Sequence, residues 1–244
     1  MMTASGLDVV QRVLTDKPMF HQGGEERWDA LPETLEAIRS FARPGASTLE
    51  LGVGVSTVVF AAAGTSHVAI SPDPVEHERV QAYCRSIGVD DSGIRFVVGL
   101  SDDVLPSMLG RERTLDLALI DGGHLFPVPV IDWYYVSRAL KVGGKLIMDD
   151  VPIPAVAPVM RHMSLESNWR LDGIFDDRAA AFTLLAEADE VPWPDQPFNK
   201  GYPDFSFLAG PRRLRLQAGY RLRELRRTTG QRHPGLRRLY KRVT

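Results

Sequence analysis

Three short stretches carry residues whose types and spacing could do chemistry. In LALIDGGHLF, residues 117–126, Asp121 and His124 stand three positions apart across two glycines. KLIMDD, residues 145–150, ends in the pair Asp149-Asp150. ELGVGVS, residues 50–56, sets Glu50 two positions ahead of Gly52, with Gly54 and Ser56 following. The first two stretches are apolar runs that finish in carboxylates, as strands do when they end at a ligand edge. Neighbouring parallel strands lie about 4.8 Å apart, so Asp121, Asp149 and Asp150 can meet at one carboxyl edge, where open α/β sheets bind ligands. Like charges gathered there raise one another's pKa unless a cation or a partner offsets them. An all-oxygen set of this kind suits Mg²⁺, Mn²⁺ or Ca²⁺ better than zinc. The plainer alternative makes Asp149 or Asp150 a helix cap and Asp121 a turn former. His124 brings an imidazole to the same edge, where it can act as a general base near neutral pH; a purely structural histidine is the alternative.

The glycine stretch is read in the same way. Glycines after a strand let the backbone approach a ligand closely, and the helix that follows offers free N–H groups. A dinucleotide fingerprint would need a third glycine at position 57, which is Thr57. That counts against a nicotinamide cofactor. A carboxylate at Glu50, at the end of a central strand, is costly unless it meets donors, and it suits a ligand with an amino group or sugar hydroxyls. A tight turn with no ligand is the alternative.

The elements that must position these residues follow from hydrophobic patterning. Strand-like runs occur at Thr48–Leu51, His67–Ile70, Ile94–Val98, Leu115–Ile120 and Lys145–Met148. Helical stretches at Thr57–Ala63, Val75–Ile87, Val104–Leu109 and Val130–Leu140 separate them. Alternation of this kind predicts a parallel sheet with helices on both faces. Two further strands, Trp169–Phe175 and Ala179–Ala186, are linked only by Asp176-Asp177-Arg178. That link is too short for a helical crossover, so the pair must be antiparallel. Ahead of the sheet, helices are expected near Leu7–Leu14 and at Pro32–Ala42, with proline in the first turn of the second.

Composition narrows the classes. The 244 residues hold 29 Lys+Arg, 31 Asp+Glu and one cysteine, with 44% apolar residues, enough for a sizeable core. Cys84 alone can form neither an intrachain disulfide nor a structural zinc site, which suits a reducing compartment. The first residues lack the apolar run of a signal peptide, and the stretch from Leu51 to Val75 is broken by glycine and proline. A cytoplasmic location is expected, with attachment to a membrane surface left open by the tail. Charge is unevenly placed: from Gly210 onward there are 12 basic residues and one acid, Glu224, leaving 17 basic and 30 acidic residues elsewhere.

With these motifs in place, residues 30–187 resemble the class I S-adenosylmethionine (SAM)-dependent methyltransferases. That resemblance implies an α/β, Rossmann-like fold whose parallel sheet ends in a C-terminal antiparallel hairpin. It also implies cofactor contacts from Glu50, Gly52, Gly54, Ser56, Ser101 and Asp121. The family's ribose-binding acid after the second strand is missing from AISPDP: Ser71 takes its place and Asp73 follows two residues later. Either Asp73 turns inward, Ser71 makes a weaker contact, or the cofactor site has been lost. Around Ser101, an N-cap for a helix at Asp103–Leu109 is the alternative to an adenine contact. The Asp121-Gly-Gly-His124 motif and the Asp149-Asp150 pair resemble a narrower branch, the metal-dependent O-methyltransferases of natural-product sugars. By that resemblance Asp121, Asp149 and Asp150 hold Mg²⁺ or Mn²⁺, and His124 takes the proton of a hydroxyl on a small molecule or glycan. The rivals are an NAD-binding oxidoreductase and a non-catalytic protein of the same fold.

Four regions are expected: a helical cap or lid at 1–45, a catalytic domain at 46–187, a Pro/aromatic loop at 188–210 and a basic helical tail at 211–244. Gly23-Gly24 and Trp28 are lid candidates, and Trp193, Phe198, Tyr202 and Phe205 could wall the acceptor pocket or join a dimer contact. Leu214, Ala218, Leu222 and Leu225 recur at helical spacing among arginines, which suits an anionic membrane surface, a partner protein or the chain's own acidic body. Aromatic residues are too few there for nucleic-acid stacking.

Overall fold

A computed structural model of the chain describes residues 6–21, 29–110, 112–188, 191–201 and 203–232. The candidate lid residues Gly23, Gly24 and Trp28, together with Tyr202 and the segment after Arg232, lie outside the described residues. The chain divides into two compact units, Met1–Phe198 and Asn199–Thr244. The second contains the helix Gly210–Arg232, in which Leu214 and Leu222 are exposed.

The first unit is built on a seven-stranded sheet. Strands β1 (Ser47–Leu51), β2 (Ser66–Ser71), β3 (Ile94–Val98), β4 (Leu115–Ile120), β5 (Leu140–Met148), β6 (Trp169–Phe175) and β7 (Ala179–Leu184) lie in the order β3-β2-β1-β4-β5-β7-β6. The first five are parallel, and β7 runs antiparallel to both β5 and β6. The three-residue link thus forces the hairpin that the sequence predicts. Strand β5 starts five residues earlier than expected. Lys141–Gly144 reads as a loop because of its two glycines, but Leu140 pairs with Leu115 before a register shift. Gly143 takes a positive φ of 86°, so the strand bends there without ending.

Helices cover both faces: α1 (Gly6–Asp16), α2 (Pro32–Phe41), α3 (Val55–Ala62), α4 (Pro74–Ile87), α5 (Ser101–Met108), α6 (Val128–Ala139) and α7 (Ala157–Leu165). Strand periodicity decides which core each side chain enters. Leu117 and Leu119 of β4 pack with Val10, Leu35, Val58 and Val80 from α1 to α4. Their neighbours Ala118 and Ile120 pack with Leu105, Val136 and Met163 from α5, α6 and α7. Both faces of the central strands are therefore dry, as a parallel sheet requires. Cys84 is fully buried in the first of these cores, and burial pushes its thiol up to about 12.

The hairpin turn is tied to the N-terminal helices. Asp176, at φ 52°, accepts hydrogen bonds from the Thr34 N–H (2.8 Å) and hydroxyl (2.9 Å), so it caps α2 from across the chain. Its own N–H donates to Glu33 at 2.8 Å.

One buried carboxyl has no role in holding the sheet. Asp132 of α6 is fully buried, and neither of its oxygens has a hydrogen-bond partner among the described residues. Burial raises its pKa to about 7; the facing Ser101 hydroxyl, short of hydrogen-bond geometry, offsets part of the rise, and Asp102 adds to it. An acid raised in the native state keeps a proton that the unfolded chain has lost, so it costs stability as pH climbs from about 4 to 7. Asp132→Asn is expected to remove that slope and to gain about 1–3 kcal/mol at pH 8. Denaturant unfolding at pH 5 and pH 8 measures this; equal slopes in the two proteins would exclude Asp132 as the source.

Candidate active site

The carboxyl ends of β1, β2, β4 and β5 open into a cavity of about 1070 Å³, large enough for a cofactor and a small acceptor together. Its walls include Glu50, Gly52, Gly54 and Ser56 from the glycine loop, Ser71 and Glu76 near the end of β2, and Ser101 and Asp102 from α5. Asp121, His124, Leu125, Asp150 and Arg178 also line it.

The glycine loop is held from beneath. Glu50 is buried and accepts hydrogen bonds from Ser56, from Thr57 (2.6 Å) and from His67 Nε2 (3.3 Å). His67 Nδ1 lies 2.8 Å from the Thr48 hydroxyl, so the ring spans Thr48 and Glu50. The expectation that Glu50 needs a ligand's donors is therefore corrected: the protein itself supplies them, and the carboxylate organises the loop. Thr57 also explains the absent third glycine. Its hydroxyl accepts from the Gly54 N–H at 3.0 Å while donating to Glu50, a bridge that glycine could not make.

Gly52 lies where only glycine fits. Its φ is 112°, and a Cβ there would stand 2.5 Å from the Asp121 carbonyl oxygen. The loop thus passes directly over the end of β4, with the Asp121 N–H bonded to the Leu51 carbonyl at 2.9 Å.

Beyond β2 the structure corrects one expected contact. Asp73 points to its own helix, capping α4 through the Val75 N–H at 2.8 Å, and it does not line the cavity. Ser71 is buried and donates to Glu76 at 2.9 Å. The other Glu76 oxygen is 2.9 Å from His21 Nδ1. The acid nearest the expected ribose position is therefore Glu76, one helical turn further along than the sequence pattern suggests. An acid in the first turn of a helix reads as a dipole partner, which hides it. At the end of β3, α5 starts at Ser101 with Leu100 as its N-cap and no side-chain cap. Ser101 is a wall residue of the cavity and does not cap α5.

The acidic edge also differs from expectation. Asp149 is almost fully buried, and Arg178 grips both of its oxygens, Nη2 at 2.6 Å and Nε at 3.1 Å. Arg178 Nε also lies 3.1 Å from Asp150. The expected metal trio of Asp121, Asp149 and Asp150 does not form, because Asp149 faces an arginine. Donor atoms of Asp121, His124 and Asp150 do lie within 4.8 Å of one another. His124 Nε2 is 3.4 Å from Asp150, whose φ of 53° turns its side chain toward this edge. Burial drives the Asp121 carboxyl well above its ordinary range, Asp149 and Glu50 add to the rise, and Arg178 opposes it. Leu125 lines the cavity mouth and Phe126 is exposed next to it. Phe198 packs on His162 instead of lining the cavity.

Residues 49–151 match the model of a family described as a methyltransferase domain. No curated protein matches the sequence. Among solved structures, one from Klebsiella pneumoniae that is provisionally named an O-methyltransferase is similar, with a TM-score of 0.59 at 18% identity over 73% of this chain and 90% of that one. Cofactor-bound Rv0187 from MTB scores 0.56 at 17% identity, over 75% of this chain and 88% of that one. The O-methyltransferase TomG from Streptomyces achromogenes, involved in tomaymycin synthesis and solved with SAM, scores 0.54 at 16% identity, over 76% and 92%. The chain has the methyltransferase fold. In a methyltransferase fold the matched residues, 49–151, run from β1 through Asp149 and Asp150, so they contain both the glycine loop and most of the acidic edge. Arg178 and His21 fall outside that stretch and reach the cavity only through the tertiary fold. No helix among the described residues is long and apolar enough to cross a membrane.

Proposed function

We propose that the protein is a SAM-dependent methyltransferase acting on a hydroxyl oxygen of a small molecule or sugar. The observation that carries this reading is a single cavity walled on one side by the Gly52–Gly54 loop and on another by His124 beside Asp150. The cavity suits the cofactor: Gly52 and Gly54 line it with a loop free of side chains, and Ser71 and Glu76 present polar atoms to it.

SAM supplies a methyl group on an electrophilic sulfonium. When bound it would pass that methyl to the hydroxyl oxygen as the S–CH₃ bond broke, and the hydroxyl proton would have to leave. With a proton on Nε2 facing Asp150, the Nδ1 lone pair of His124 accepts it. The rest of the chain's contribution is alignment and exclusion of water. A second reading keeps a metal. Asp121, His124 and Asp150 would hold Mg²⁺ or Mn²⁺, favoured by the closeness of their donor atoms, and the ion would supply Lewis acidity. His124 would then be a ligand and no longer the base.

The decisive experiment is calorimetric titration with SAM and S-adenosylhomocysteine, followed by assay of S-adenosylhomocysteine release with phenols and sugars. Wild type is expected to bind both compounds, and Glu76→Gln to bind about tenfold or more weakly, having lost a charged acceptor. Unchanged affinity in the variant removes Glu76 from the cofactor site. No binding of either compound by wild type rejects the methyltransferase reading, and binding without transfer would leave a non-catalytic member of the fold.

A further inference from the structure

The acidic edge carries a cation of its own. Three carboxylates, those of Glu50, Asp121 and Asp150, line one cavity, with Asp149 buried beside Asp150, and only Glu50 is satisfied by hydroxyls and an imidazole. Among the described residues, the one lysine or arginine on the cavity wall is Arg178. Its guanidinium forks onto both oxygens of Asp149 and reaches Asp150, and it is under a third exposed.

This placement is built in. The Arg178 N–H bonds the Phe175 carbonyl at 3.0 Å, and its own carbonyl accepts from Val151 at 2.9 Å. Two residues earlier Asp176 clamps the turn to α2 through Thr34, and one residue later Ala179 is fully buried in β7. The backbone on each side is therefore held, and the side chain has a short reach to a buried partner. A bidentate arginine–carboxylate pair is geometrically exacting, and its partner Asp149 is fixed in turn by its N–H bond to Ile120.

From this geometry we infer that Arg178 is the resident cation of the acidic edge, and that it stands where a divalent ion would otherwise draw Asp149 and Asp150 together. The guanidinium takes both oxygens of Asp149 and shares Asp150, so a metal gains a full set of carboxylates only when Arg178 is withdrawn. The methyltransferase reading enters only in calling this edge catalytic.

The test is a titration of the full chain with Mn²⁺, the free ion being followed by electron paramagnetic resonance. Wild type is expected to show no saturable site below about 1 mM. Arg178→Gln is expected to bind at least about tenfold more tightly, as the competing charge is gone, and to lose the gain when Asp150→Asn is added. Removing Arg178 alone leaves Asp149 buried and unpaired, so Asp149→Asn with Arg178→Gln is the companion variant that folds without that charge; having lost one carboxylate, it should keep a smaller gain, through Asp121 and Asp150, than Arg178→Gln. A micromolar Mn²⁺ site in wild type that disappears in Asp150→Asn overturns the inference, as does the absence of any gain in the variants. Because no cofactor is needed, a failure of SAM binding would reject the methyltransferase reading without touching this result.

Discussion

His124→Ala is expected to lower turnover by about 10²–10⁴-fold, the usual contribution of a positioned general base, while leaving SAM affinity unchanged. His124 sits four residues past the end of β4, lines the cavity and faces Asp150 at 3.4 Å. Ser71 bonds Glu76 and Glu76 bonds His21, and among the described residues no hydrogen bond joins Ser71 or Glu76 to His124. Loss of kcat with retained affinity is what removing a proton acceptor should produce; loss of both together would mean that His124 shapes the cofactor site. Single-turnover assays with labelled SAM, beside calorimetric titration of the variant, separate these outcomes. Equal turnover in variant and wild type would remove His124 from the mechanism.

Gly52→Ala is expected to abolish measurable cofactor binding, at least about 100-fold, and to cost about 2–4 kcal/mol of stability. Two effects coincide at this position. Its φ of 112° belongs to glycine, and the added Cβ would stand 2.5 Å from the Asp121 carbonyl oxygen. That oxygen is backbone at the end of a central strand, so it cannot swing away as a flexible side chain would. Relief requires parting the ends of β1 and β4, which moves the loop and Asp121 together. Gly54 offers the contrast. Its backbone is extended, and a Cβ would meet His21 Nε2 at 3.4 Å, a contact that small shifts absorb. Gly54→Ala should therefore be much milder. Thermal melts and S-adenosylhomocysteine titration of both variants check the contrast, and equal losses would mean that the strained geometry at Gly52 is not what limits binding.

Much of this protein was legible in its residues before any tertiary structure. Alternating apolar runs located the strands of a parallel sheet, because a strand buried on both faces has little choice of composition. Three residues between Phe175 and Ala179 can only make a hairpin, and β6 and β7 pair as that constraint demands. Glycines at 52 and 54 follow a strand, and Asp121 with His124 lines the same cavity as that loop. These are local statements, governed by backbone geometry over a few residues.

The partners of the charged groups were decided elsewhere. Asp149 looks like a metal ligand in the chain and is held by Arg178, 29 residues away, because β7 inserts next to β5. Glu76 looks like a helix-dipole residue and meets His21, 55 residues away, at the cavity wall. Glu50 seems to want a ligand and is satisfied by His67 from the neighbouring strand as well as by its own loop. Asp73 seems free to turn inward and caps α4 instead, since the helix N-terminus next to it offers an N–H. A side chain's type sets what it can bond; which groups stand within hydrogen-bond reach depends on the order of strands and the hold of distant turns. The amino-acid sequence by itself determined the sheet, the hairpin and the edge where chemistry gathers. Only the tertiary structure decided which carboxylates at that edge are open and which already have a cation, because pairing at 3 Å is settled by long-range packing and not by spacing along the chain.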